Sequence, residues 1–127
     1  MNLLLDTHVL LWWLKDPKRL TEQAASAIRA SGNLVFYSAA NIWEISIKSS
    51  MGKLPVISRA EMEDALVADE IRSLAITPAH AWSVAELPRH HGDPFDRLLI
   101  AQAQSESLRL VTRDPLMKPY DVEVVWA

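Results

Sequence analysis

The chain has 127 residues, of which half are apolar and 23% are charged, with a net charge of −3 and no cysteine. This length predicts a single domain over residues 1–127 that forms its own core. The lack of cysteine excludes disulfides and thiolate metal sites. The opening residues lack the basic start and long apolar run of a signal peptide. We therefore expect a cytoplasmic protein with no membrane segment.

Short apolar runs alternate with longer helical patterns along the chain. In chain order, the pattern predicts a strand at 2–5, helices at 7–15 and 21–31, a strand at 33–37, helices at 39–50 and 59–69, a strand at 72–76, helices at 78–86 and 94–106, and strands at 108–112 and 121–126. This alternation is typical of a parallel sheet with helices on its faces. The predicted fold class is therefore α/β, a three-layer α/β/α sandwich with a central, mostly parallel sheet of about five strands.

Four acidic residues lie where this pattern places the carboxyl ends of strands. Asp6 follows the first strand, Glu44 lies in the helix after the second, Asp96 opens the helix that begins near Asp93, and Asp114 follows strand 108–112. In a parallel sheet these ends border one crevice, where ligands bind. Grouped carboxylates repel one another unless a hard divalent cation neutralises them. The four acids therefore predict a Mg²⁺ or Mn²⁺ site and, through the metal, phosphodiester chemistry.

Each acid also has a purely structural interpretation. Asp6 can cap the first helix, Asp114 can cap a turn before Pro115, and Glu44 can form a solvated pair with Lys48. Asp93 fits a helix N-cap, with Asp96 in the first turn. We favour Asp96 as the site residue and Asp93 as a cap or outer support, since the apolar helix after Asp96 must pack on the sheet with its amino end at the crevice.

Several neighbouring residues are weaker candidates. Thr7 either adds a hydroxyl to the site or caps the helix, Thr112 is a supporting residue, and Arg113 either holds a phosphate, neutralises the acids or is solvated. His8 is a candidate for outer support of Asp6. Other expectations are structural: His90 and His91 exposed in a loop, and the core positions Trp12, Trp13 and Trp43.

Four segments, residues 3–8, 38–48, 93–103 and 110–114, carry a resemblance to a known family. With these motifs in this order, the chain resembles a PIN-domain ribonuclease, specifically the VapC-like toxins of type II toxin–antitoxin pairs. The similarity covers nearly the whole length. Each motif is short, but four in the right order and spacing make a specific match.

The resemblance implies a Mg²⁺- or Mn²⁺-dependent endoribonuclease whose acidic quartet is Asp6, Glu44, Asp96 and Asp114, with the fourth position less constant among relatives. It also implies a homodimer, a cognate antitoxin that inserts a segment near the active site, and binding of promoter DNA through that antitoxin. The acidic net charge argues against tight autonomous RNA binding. Affinity for RNA would then come from a bound metal with local lysines and arginines, or from a basic partner protein. Lys48 and Lys53 either contact substrate phosphates or complement the dipole at a helix end.

Three rival functions follow from the same residues. An aspartyl phosphatase would place a second aspartate two positions after Asp6, where this chain has His8. In a non-catalytic binding module, the acids would be caps and the apolar helix at 9–14 would be a docking surface. A DNA nuclease with the same acidic pocket is the third rival.

Overall fold

The computed structural model describes all 127 residues and contains five strands and six helices of the α type. In chain order they are β1 (Asn2–Leu5), α1 (Thr7–Lys15), α2 (Glu22–Arg29), β2 (Leu34–Ser38), α3 (Ala39–Ser50), α4 (Arg59–Ala68), β3 (Ile71–Leu74), α5 (Pro78–Ser83), α6 (Pro94–Glu106), β4 (Arg109–Thr112) and β5 (Val124–Trp126). Short 3₁₀ turns lie at Pro17–Arg19, Val84–Glu86 and Pro115–Met117. Every predicted element is present, with ends that differ by a few residues.

The five strands form one wholly parallel sheet in the order β3-β2-β1-β4-β5. β1 lies at the centre of the sheet, where helices cover both faces. Its run of leucines suits this place, because successive side chains of a strand face opposite sides of the sheet. Leu3 and Leu5 belong to one buried cluster, while Leu4 belongs to the other. All three are fully buried. The sandwich of three layers predicted from the sequence is therefore confirmed.

Different helices cover the two faces of the sheet. The cluster around Leu3 and Leu5 includes apolar residues of α1, α2 and α4, whereas the cluster around Leu4 includes α6. α5 packs against α6 on that second side. α3 contacts both α1 and α6. Because α3 begins directly after β2, this position brings its residues to the edge of the sheet where the strands end.

Of the three tryptophans expected in the core, two are partly buried there and one is not. Trp12 and Trp13 are half-buried and pack against the core. Trp43, expected in the core, is 55% exposed. Its ring instead meets the edge of Phe95, with the ring centres 5.1 Å apart. The neighbouring Glu44 faces inward, so the geometry of the helix directs Trp43 away from the sheet.

None of the helices is long and apolar enough to cross a lipid bilayer.

Candidate active site

Asp6 lies at the carboxyl end of the central strand, where it is both a helix cap and a cavity residue. Its backbone N–H donates to the carbonyl of Val111, so the residue is fixed beside the end of β4. One carboxylate oxygen accepts from the N–H of Thr7 and the other from the hydroxyl of Thr112, each at 2.7 Å. The two interpretations offered by the sequence are thus compatible, and Thr112 acts as the predicted support.

Glu44 projects inward from α3 and is only 3% exposed. Its Oε1 accepts from the hydroxyl of Thr7 at 2.6 Å, and that hydroxyl accepts from Nδ2 of Asn41 at 3.0 Å. Its Oε2 lies 2.5 Å from the ammonium of Lys48. The alternative of a solvated pair is therefore wrong, because Glu44 is buried between α3 and the start of α1. Thr7 supports Glu44 with its side chain, while Asp6 caps α1.

At the start of α6, Asp93 is the cap that the sequence predicted, and the Asp96 side chain takes no part in that cap. The Asp93 side chain accepts from the backbone N–H of Asp96 at 3.0 Å, which makes it the N-cap of α6. Asp96 then lies in the first helical turn with its carboxylate free of the cap. Its Oδ2 is 3.2 Å from Nε2 of His91. Asp96 is therefore held from the loop that precedes α6.

The loop before α6 differs from the sequence-based expectation that both of its histidines are exposed. His90 is exposed as expected, but the side chain of His91 is only 8% exposed. Nδ1 of His91 lies 2.7 Å from the hydroxyl of Tyr120, while its Nε2 faces Asp96. The expectation of an exposed His91 is wrong because the loop folds back over the start of α6. His91 is thereby a positioning residue for Asp96.

A buried arginine that sequence reasoning missed fixes this fold of the loop. Arg97 is 7% exposed, and its guanidinium donates to the hydroxyl of Tyr120 and to four backbone carbonyls. The carbonyls belong to Val84, Leu87, Pro88 and His91. A guanidinium offers five donors in a fixed fork, which suits the satisfaction of several carbonyls at once. The sequence signal was an arginine followed directly by the buried apolar run of residues 98–101.

Asp114 and Arg113 complete the rim after β4. Asp114 is half-buried, donates its N–H to the hydroxyl of Thr112 and accepts from the N–H of Leu116. Arg113 is exposed but not free: it donates to the backbone carbonyls of Ala127 and Arg19. Its exposure agrees with the expectation of a solvated arginine, and these two hydrogen bonds fix where its guanidinium lies. Thr112 links both ends of this rim, since it also contacts Asp6.

The four predicted acids line one cavity of about 380 Å³ at the carboxyl edge of the sheet. Five carboxylates meet two cationic side chains there; the lining residues are Asp6, His8, Trp12, Glu44, Lys48, Asp93, Asp96, Arg113 and Asp114. All four therefore come from distant parts of the chain to one place, as the strand ends predicted.

Burial, assisted by the neighbouring negative charges, raises the pKa of two carboxyls in this cavity. Burial, followed by the charges of Asp6, Asp93, Glu44 and Asp114, raises the pKa of Asp96 to about 8. Burial also raises the pKa of Asp6, against the opposing hydrogen bonds from Thr112 and Thr7. Such mutual destabilisation is expected where carboxylates share a poorly solvated site. Perturbed carboxyls in a cavity are typical of functional sites.

The donor set suits a hard divalent cation, since every anionic side chain in the cavity offers oxygen and the excess of carboxylates requires positive charge. In the present side-chain arrangement, no three acidic or imidazole groups form a ready set of ligands. Both oxygens of Asp6 and both of Glu44 are engaged in hydrogen bonds or an ion pair. The Lys48 ammonium thus supplies part of the positive charge that the carboxylates need.

The chain matches the family model described as PIN domain over residues 3–122. A curated relative, Ribonuclease VapC22 from Mycobacterium tuberculosis, is 32% identical over 124 residues, which cover 94% of this chain and 92% of the relative.

Solved structures share the fold at lower identity. The crystal structure of VapBC2 from Rickettsia felis, bound to a DNA fragment from their promoter, contains a chain with a TM-score of 0.73 and 14% identity. VapBC-5 from Mycobacterium tuberculosis has a TM-score of 0.63 and 16% identity, and DNA-bound VapBC from Salmonella typhimurium has 0.63 and 18%. In each case the match covers 99% of this chain and 98% of the other. The family match, the curated relative and the site together lead to one conclusion: this chain belongs to the PIN-domain family, among its VapC-like members.

Proposed function

We propose that this protein is a Mg²⁺- or Mn²⁺-dependent endoribonuclease that acts as the toxin of a toxin–antitoxin pair. The observation that carries the proposal is the convergence of Asp6, Glu44, Asp96 and Asp114 on one cavity at the carboxyl edge of a parallel sheet. The raised pKa of Asp96 supports it, because the site as built has more negative charge than it can stabilise alone.

Asp6, Glu44 and Asp96 would hold the cation, with Asp114 directly or through a water. When bound, a divalent cation supplies Lewis acidity, which activates a water for in-line attack on a phosphodiester and stabilises the charge on the departing oxygen. The chain's own contribution is to fix the carboxylates. Thr7 and Thr112 donate their hydroxyls to Glu44 and Asp6, and His91 holds Asp96.

Lys48 provides a second function in the same cavity. Its hydrogen bond with Glu44 raises its pKa, so the ammonium remains charged at neutral pH. A charged ammonium beside the carboxylates is placed to contact a phosphate oxygen of the substrate. The cavity therefore offers both anionic ligands for a metal cation and a charged ammonium for the substrate.

RNA as the substrate and an antitoxin as the partner are supported by the relatives. The curated relative is a ribonuclease, and the similar structures are VapBC complexes, two of them bound to DNA. We extend these two properties to this chain as a protein that cleaves RNA and binds a cognate antitoxin. A homodimer, and contact with promoter DNA only through the antitoxin, are further parts of the proposal.

The test is cleavage of single-stranded RNA, and of DNA of the same base sequence, by the wild type and by Asp6→Asn with Mg²⁺ or with EDTA. We expect cleavage of RNA only by the wild type and only with the cation. Asp64→Asn, an exposed acid on α4, is the matched control and should cleave like the wild type. Equal activity of Asp6→Asn and wild type would refute the metal mechanism, and preferential cleavage of DNA would refute the substrate assignment.

A further inference from the structure

A second cavity of about 410 Å³ adjoins the acidic one. The two share His8 and Trp12 in their linings, so they are contiguous across the first turns of α1. The second cavity is bordered by the end of α1, the 3₁₀ turn at Pro17–Arg19 and the loop at residues 53–55. An extended polymer that binds in the acidic cavity can therefore continue along the surface into the second cavity.

The charge of the lining changes sign between the two cavities. The acidic cavity has five carboxylates, whereas the second has Lys15, Arg19 and Lys53 against the single acid Asp16. Lys15 lies 3.8 Å from Glu61, but neither Arg19 nor Lys53 takes part in an ion pair. These two exposed cations are thus available to a ligand. Their charge is complementary to phosphates next to a bond that is being cut.

Trp12 at the junction is surrounded by planar groups. The guanidinium of Arg19 lies 4.9 Å from the centre of its ring, that of Arg113 4.4 Å, and the His8 ring 5.8 Å at a tilt of 46°. Trp12 itself is half-buried, so part of the indole faces the cavities. Aromatic rings and guanidinium planes are the groups on which unpaired bases stack in single-stranded nucleic acid sites.

We infer that this second cavity, the flanking subsite, binds the single-stranded RNA segment next to the scissile phosphate. Arg19 and Lys53 contact the phosphates of this segment. One of its bases stacks on the part of the Trp12 indole, with its attached guanidinium planes, that faces the cavity. The inference rests on the proposed function, because it assigns the acidic cavity to the bond that is cut. It also gives a chain whose net charge is −3 a local group of cations for RNA, since Lys15, Arg19 and Lys53 lie together beside the acidic cavity.

The test measures binding of fluorescein-labelled RNA oligonucleotides by anisotropy in EDTA, which separates binding from cleavage. Arg19→Gln/Lys53→Gln should weaken binding about 10-fold and lower the slope of log affinity against log salt by about one for each cation removed. Trp12→Leu should weaken binding by a similar factor through lost stacking. Arg72→Gln, an exposed cation that lines neither cavity, is the matched control and should bind like the wild type. Circular dichroism melting confirms that each variant is folded.

Steady-state cleavage provides the second readout. For the double variant we expect KM to rise about 10-fold with kcat unchanged on long oligonucleotides, and no difference from wild type on the shortest cleavable ones. Unchanged affinity, salt slope and KM in an enzyme that cleaves RNA would overturn the subsite and leave the proposed function intact. A comparison with polyglutamate of equal charge tests the class of ligand. If polyglutamate binds as tightly as RNA, and Trp12→Leu weakens both equally, the subsite for RNA is overturned in favour of an acidic peptide.

Discussion

The hydroxyl of Thr7 donates to Oε1 of Glu44 at 2.6 Å and accepts from Nδ2 of Asn41 at 3.0 Å. This contact joins the first residue of α1 to a helix that begins 32 residues later in the chain. Because Glu44 and Asn41 are both buried, each needs this hydroxyl to satisfy a polar group that water does not reach.

Replacement of Thr7 by valine keeps the shape and removes the hydroxyl. We expect a loss of about 1–3 kcal/mol in the free energy of unfolding, because two buried polar groups lose a partner. Cleavage should also fall, since Glu44 is no longer oriented. Urea denaturation and RNA cleavage measure the two effects, and Thr7→Ser is the control that should retain both. A Thr7→Val protein of wild-type stability and activity would show that the hydroxyl orients nothing.

His91 positions Asp96 and should influence metal affinity without being a ligand. Its Nε2 is 3.2 Å from Oδ2 of Asp96, and its ring is held by Tyr120. We expect His91→Ala to weaken Mg²⁺ binding about 10- to 100-fold, as is usual when an outer support of a ligand is removed. Mg²⁺ titration measures this, with Arg89→Ala, at an exposed position of the same loop, as the control. An effect of equal size in both variants would point to general disruption of the loop.

Arg97 stabilises the fold of that loop. Replacement by methionine should lower the free energy of unfolding by about 3 kcal/mol, because four carbonyls and the Tyr120 hydroxyl lose a buried cationic donor. Hydrogen exchange should show that the loop at 84–92 opens before the rest of the chain. Arg89→Met changes an exposed arginine of the same loop and should leave stability unchanged. Protection at 84–92 that survives Arg97→Met would contradict this role.

The raised pKa of Asp96 predicts a specific dependence of stability on pH. Its ordinary value is 3.8, and in the folded protein without metal it is about 8. Between about pH 4 and 8 the folded state therefore keeps a proton that the unfolded state has released, so the free energy of unfolding should fall as pH rises. Asp96→Asn should flatten this part of the profile. Because Mg²⁺ favours the charged carboxylate, it should oppose the fall in the wild type and not in the variant. Parallel pH profiles for the two proteins would be evidence against the buried charge cluster.

Lys48 and the cation should compete for Glu44. Lys48→Gln removes the ammonium that lies 2.5 Å from Oε2, so the melting temperature without metal should fall. The rise in melting temperature on addition of Mg²⁺ should be larger than in the wild type, because a like charge has left the cavity. Lys18→Gln, an exposed lysine outside the cavity, is the control. A smaller Mg²⁺ effect in Lys48→Gln would mean that the lysine assists binding of the cation instead.

The framework of the site was predictable because strand ends in a parallel sheet converge. Asp6 and Asp114 follow β1 and β4, and these positions alone fix their place at one edge. The chemistry of a helix start identified Asp93 as the cap of α6, and Asp96 as the acid of the first turn. The roles of His91 and Arg97 were not predictable, since their contacts depend on how a loop without periodic pattern folds back on Tyr120, 29 and 23 residues away. The prediction of a buried Trp43 was wrong because it depended on hydrophobicity alone. Glu44 faces the sheet from α3, so the adjacent Trp43 faces solvent.

The most direct measurement is calorimetric titration with Mg²⁺ of the wild type and of Asp6→Asn, Glu44→Gln and Asp96→Asn, with Asp64→Asn as the control. The three altered acids are the residue that follows β1, a residue of α3 and a residue of α6, and they line one cavity. We predict stoichiometric binding to the wild type and to Asp64→Asn, and strongly weakened binding to each of the other three. Binding that none of these three substitutions changes, or no binding by the wild type, would contradict a shared cation site.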